Sequence, residues 1–265
     1  MDPQIDQFLR ETLLPLTVEV VERSIADVGS IKFDKRHPQH LPVICVYATI
    51  LELSRAELAL LDTGNSVAFS PLLRSIFESY ADLRALLEDV NYLKRMHATL
   101  IREKLRLVDI AERLGNTRPD LLAGLETVDV QRDRAEFQRQ LNEYADQGHR
   151  ALSNAARFDA GRVEPGHEIL YWLLCLEGHN NIASLEERHV EKSESGSYEV
   201  TMFKERGNGL AAAVGVLVDL VGDASTRVHR FFGTDMLARH EALAARISEQ
   251  RAQHKNLADA VKGQP

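Results

Sequence analysis

The sequence predicts an all-α fold, a multi-helix bundle carrying one small β-hairpin. Apolar residues recur at helical spacing along most of the chain, and Pro and Gly are sparse, at eight and fifteen in 265 residues. A period of two occurs in one short stretch only. The composition, 44% hydrophobic and 27% charged, is that of a globular chain. Its length suits a single helical-bundle domain over 1–265, with a core at about 40–185 and a C-terminal helical pair at 207–260.

The first helix is expected from Pro3 to about Val28, where Ile5, Phe8, Leu9, Leu13, Leu16 and Val20 keep helical spacing, Pro15 marks a kink and Gly29 a stop. Ser30 to Leu41 lacks periodicity and reads as a loop. A second helix follows from about Pro42 to Asp62, ended at Gly64. Ser70 as N-cap with Pro71 at the first helical position opens a third helix, running through Leu86. A fourth spans about Asn91 to Leu114 with Gly115 as its stop, and pairs antiparallel with the third. The polar stretch Pro119 to Asp146 predicts a long surface helix ended at Gly148, and Ala151 to Phe158 a shorter one.

Ile169-Leu170-Tyr171-Trp172-Leu173-Leu174-Cys175-Leu176 is apolar all round, which places it at the centre of the bundle. Between Arg188 and Phe203 the period falls to two, with Val190 on one arm and Tyr198, Val200 and Met202 on the other, around Ser193 to Ser197, which predicts the hairpin. Helices at about Gly209 to Phe232 and Thr234 to Ala260, parted by Gly233, close the chain.

The formal charge of −8 argues against a general nucleic-acid binder, which needs a net basic field or a basic stripe, and leaves only a local patch open. The two cysteines, Cys45 and Cys175, sit in apolar runs and read as small buried hydrophobes of a reducing, cytoplasmic protein. The acidic N-terminal stretch has no apolar signal core, and no apolar run approaches the roughly 18 residues that cross a bilayer.

Arg74, Glu78 and Asp82 stand at successive i, i+4 positions and stack along one helix face. Leu73, Ile76, Phe77, Tyr80 and Leu83 centre on another face, so the charged row reads first as a solvated salt-bridge ladder. It becomes a polar pocket wall if another element covers it. His179 falls over Trp172 and near Leu176 and Ala183 at helical spacing and is expected to be partly buried, as a core histidine or as an acid/base, with Asn180, Asn181 and Ser184 adding polar groups and Tyr171 and Glu177 as further candidates.

Metal and nucleophile signatures are lacking. Glu186-x-x-His189 is one helical Glu-x-x-His, whereas Glu164-x-x-His167 is broken by Pro165-Gly166, and a di-iron bundle uses two. No Cys-x-x-Cys, His-Glu-x-x-His, phosphate loop or Gly-x-Ser-x-Gly elbow occurs. Arg162 to His167 matches the Arg-x4-His spacing of the HEPN ribonucleases in spacing alone. Neither a cofactor nor a metal is expected.

The stretch Arg74-Ser75-Ile76-Phe77-Glu78-Ser79-Tyr80-Ala81-Asp82-Leu83-Arg84-Ala85-Leu86-Leu87, followed by Tyr171 and His179-Asn180-Asn181, resembles domain-of-unknown-function family 5677. That family pairs an Arg-x3-Glu-x3-Asp helix with a later Tyr and His. The likeness covers about 40–185, with the hairpin and the last two helices outside it. It implies an all-α bundle with Arg74, Glu78, Asp82 and His179 as the positions of interest, and it implies no reaction.

Two functions fit. The favoured one is a non-catalytic binding or regulatory protein that engages a small ligand or a partner chain; the extensive apolar helices also suggest a homodimer. The alternative is a HEPN-like ribonuclease, or another phosphate-ester-cleaving enzyme. There His179 is acid/base for an RNA substrate, Arg74 stabilises phosphate, and Glu78 and Asp82 orient them.

Overall fold

The structure, a computed structural model, describes residues 2–62, 69–117, 130–178, 182–193, 196–200 and 209–262. Asp2 opens the first helix, its carboxylate accepting from the backbone N–H of Gln4 and Ile5. Helix α1 (Pro3–Phe8) runs through a π-turn (Leu9–Leu13) into α2 (Leu14–Asp27), and a 3-10 turn at Val28–Ser30 stops it. The expected kink at Pro15 takes the form of that π-turn. Leu14 N–H donates five residues back, to Leu9 O, and the wider turn relieves the clash between a proline ring and the carbonyl four residues earlier.

Then come α3 (His40–Asp62), α4 (Phe69–Glu88), α5 (Tyr92–Thr117) and α6 (Val130–Asp146). The short α7 (Asn154–Gly161) is followed by α8 (Pro165–Gly178) and α9 (Ile182–His189). The two long helices α10 (Gly209–Phe232) and α11 (Leu237–Lys262) close the fold. Strands β1 (Val190–Lys192) and β2 (Tyr198–Val200) pair antiparallel with Val190 opposite Val200 and Lys192 opposite Tyr198. The protein is therefore an all-α bundle with one small hairpin. Helix α4 already includes Phe69 and Ser70, and α5 passes through Gly115. Gly64, Pro119, the hairpin tip at 194–195, Met202 and Phe203 lie outside the described residues. Among the described residues no helix is long and apolar enough to cross a membrane.

The centre of the bundle is α10 rather than α8. Val214, Leu217, Leu220, Val221, Ala224 and Val228 of α10 are fully covered, and α10 packs on α2, α3, α4 and α11. Helix α8 buries only Tyr171, Leu174 and Cys175, while Ile169 is 64% exposed, Trp172 49%, Leu173 50% and Leu176 51%. An apolar run shows that no face demands water; it does not show that every face finds cover. Cys45 likewise departs from expectation. It is exposed, since the inward face of α3 is taken by Val43, Tyr47 and Ile50, and only Cys175 is a buried core cysteine.

Helix α7 crosses α4 at backbone contact. A Cβ placed on Gly161 would lie 2.6 Å from the Ala81 carbonyl oxygen and 3.0 Å from its Cα, both on rigid backbone. Gly161→Ala must therefore push the two helices apart, and urea unfolding is expected to read a loss of about 1–3 kcal/mol, the range for overpacking a filled contact.

Candidate functional site

The charged row of α4 is not solvated. Leu73, Ile76, Phe77, Tyr80 and Leu83 turn one side of the helix into the core, and the close α7 crossing lays Arg157, one turn before Gly161, over the other. Arg157 Nη1 donates to Glu78 Oε2 at 3.1 Å, and its Nε lies 2.9 Å from Asp82 Oδ1. The second contact is a close ion pair without an aligned N–H, because Arg157 Nε has no hydrogen-bond partner in line among the described residues. Arg74 Nε donates to Glu78 Oε1 at 3.3 Å. The charges thus run Arg74, Glu78, Arg157, Asp82, alternating in sign and summing to zero.

Tyrosines complete the cluster. Tyr171 on α8 donates its hydroxyl to Glu78 Oε1 at 2.8 Å and accepts from Asn154 Nδ2 at 2.6 Å. Tyr92 on α5 donates to Asp82 Oδ1 at 2.6 Å. Burial, then the adjacent carboxylate, raises the pKa of both phenols, so they serve as donors and not as bases. Burial also raises the Asp82 carboxyl, against the opposing pull of Arg157 and the Tyr92 hydrogen bond.

Arg74 stands at the end of the chain of charges and borders a depression of about 330 Å³, lined also by Asn154, Tyr171, Trp172, Cys175 and Leu176. Apart from Arg74 and Asn154 the lining is aromatic, thiol or aliphatic. The depression lies along one flank of the exposed ridge of α8. Ile169, Trp172, Leu173 and Leu176 fall at i, i+3, i+4 and i+7, the spacing of one helix face.

Of the expected site residues, Arg74, Glu78 and Asp82 share one cluster, while His179 lies outside the described residues. Arg157, Tyr92 and Asn154 were not singled out by the sequence. The sequence signal that could have found them is Gly161, a residue without a side chain where α7 ends, which permits the close crossing that brings Arg157 onto α4. The residues of the Arg-x4-His spacing part company. Arg162, in the left-handed conformation that ends α7, pairs with Glu88 at 3.1 Å, whereas His167 sits edge-on to Phe77 at a centroid distance of 5.8 Å.

Among the described residues no group of three His, Cys, Asp or Glu side chains is placed to hold a metal ion. No curated protein and no solved structure matches the chain. A family model does match, over residues 40–198, which takes in the α4 row, Arg157, the α8 ridge and β1, and so reaches into the hairpin that the sequence likeness stopped short of. The chain belongs to DUF5677, a family of unknown function.

Proposed function

We propose that this protein acts by binding and not by catalysis, and that its binding surface is the exposed ridge of α8 with the depression beside it. The occupant is α8 of a second copy. The observation that carries this reading is the ridge itself, four large apolar side chains each about half exposed or more on one face of a single helix. Contiguous apolar patches rimmed by polar groups mark association surfaces, and Arg74 and Asn154 supply such a rim here. Two copies of one helix laid antiparallel across a two-fold axis form a self-complementary contact, with Trp172 and Leu173 at mid-ridge nearest the axis and a partner side chain seated in each depression.

The charged row supports binding over chemistry. Both oxygens of Glu78 and Oδ1 of Asp82 already face donors. Their role is to fasten α7 and α8 to α4, so that the ridge is held on a fixed frame. The HEPN-like ribonuclease alternative draws no support from carboxylates so occupied.

Sedimentation velocity tests the proposal. Wild type is expected to sediment as a dimer at micromolar concentration, and Leu173→Glu as a monomer with unchanged helical circular dichroism, because a charge opposite its own copy on the axis is unpaired and desolvated. A monomeric wild type, or a dimer that survives Leu173→Glu, overturns it.

A further inference from the structure

A second recess lies on the far side of α8, among the π-turn, the start of α8, α10 and α11. Its volume is about 310 Å³, at the lower end of the roughly 300–1,000 Å³ typical of small-molecule pockets. Leu13, Val216, Val218 and Ile247 form apolar walls, and Glu164, His167, Asp219, Gln250, Arg251 and His254 bring polar groups to it.

Two acceptors in this wall are under-used. The Asp219 side chain is only 18% exposed, yet among the described residues its cation partner, Arg251 Nη1, stands 3.5 Å from Oδ2, and Asp219 takes no hydrogen bond from a described residue. A carboxylate removed that far from water ordinarily has a close donor. Gln250 Oε1 is also buried without a hydrogen-bond partner among the described residues. The next acid along α10, Asp223, differs, since it accepts from Tyr80 Oη at 2.6 Å and from Arg227 Nε at 2.5 Å.

The surrounding charges favour a cationic guest. Burial lowers the pKa of His167 and His254, which keeps both rings neutral at neutral pH; His254 stacks on Phe8 with centroids 5.7 Å apart. Among the described lining residues Asp219 and Glu164 then face one cation, Arg251, whose side chain is largely exposed. Burial also pushes the Asp219 carboxyl up to about 6, as expected of an acid short of donors, with Glu164 and Asp223 adding to the rise and Arg251 opposing it.

We propose that this cavity binds a small primary ammonium ion bearing a short hydrocarbon chain. The ammonium is held by the Asp219 carboxylate and Gln250 Oε1, and the hydrocarbon lies along Leu13, Val216, Val218 and Ile247. This site is independent of the α8 ridge, and its failure would leave the dimer reading untouched.

Isothermal titration of the full chain with n-butylammonium chloride, n-butanol and sodium butyrate tests it. Butylammonium is expected to bind at least about tenfold more tightly than either neutral or anionic analogue, and Asp219→Asn to lose at least about tenfold. Affinity should rise with pH as Asp219 ionises, through about 6. Gly215 supplies a second variant that leaves Asp219 in place. A Cβ there meets only Leu13 Cδ2, at 3.9 Å, so Gly215→Leu can fill the cavity and should abolish binding. No binding of butylammonium, equal binding of butanol or butyrate, or full affinity in Gly215→Leu each overturns the proposal.

Discussion

Arg157→Met is expected to destabilise the protein by about 3–5 kcal/mol in urea unfolding, the cost of stripping the partner from a buried charge. Among the described residues Arg157 is the only cation that touches both carboxylates, with Nη1 on Glu78 and Nε beside Asp82. Its loss leaves Asp82, a buried acid, with Tyr92 as its remaining partner among the described residues, and leaves Glu78 to Arg74 and Tyr171. Methionine keeps much of the length and apolar stem, so lost packing contributes little. The effect should shrink in the double variant Arg157→Met, Asp82→Asn, in which no buried charge is orphaned. If Arg157→Met costs under about 1 kcal/mol, the scale of an exposed pair, the cluster is not what fastens α7 to α4.

Acid should unfold the protein by way of a different buried group. His229 on α10 is fully covered, its ring stacked on His240 of α11 at 4.2 Å and its Nδ1 2.6 Å from Thr234 Oγ1, while Nε2 has no hydrogen-bond partner among the described residues. Burial, followed by repulsion from His240, lowers its pKa from 6.5 to about 4, with Asp27 opposing. The unfolded chain therefore binds more protons than the native one between those values. The stabilisation is complete above pH 6.5 and is lost as the pH falls towards about 4.

For His229 alone the loss between neutral pH and about pH 4.5 comes to roughly 2–3 kcal/mol, at about 1.4 kcal/mol per pK unit. Asp219 acts in the opposite sense, because its raised pKa favours the native state in acid and its contribution fades as the pH rises through about 6. The comparison that isolates His229 is thus the wild type against His229→Phe, which keeps a ring against His240 and Tyr47. The variant's stability should decline less steeply in acid. Parallel curves for the two proteins would contradict the assignment.

The fold was legible where apolar spacing is regular. The long helices α3, α4, α5 and α10 follow from periodicity, with ends a few residues off, as fraying termini allow. What the sequence could not supply is which face meets which neighbour. The row Arg74, Glu78, Asp82 is visible as an i, i+4 pattern, but its burial depends on Arg157 arriving from a helix 79 residues away from Glu78, through a crossing that Gly161 permits. The same limit misplaced α8. Eight apolar residues in a row state a preference for contact without naming the partner, and within this chain that contact is half made, by Tyr171, Leu174 and Cys175.

Trp172 is the only tryptophan, and it lies on the ridge, so its fluorescence reports on that surface alone. Acrylamide quenching of Trp172 across a dilution series tests the central claim most directly. If α8 pairs with its own copy, quenching should be weak at high protein concentration and rise on dilution to the level that Leu173→Glu shows throughout. Strong quenching that does not change with concentration would contradict the account, since the ridge would then stay open to solvent whether or not other copies are present.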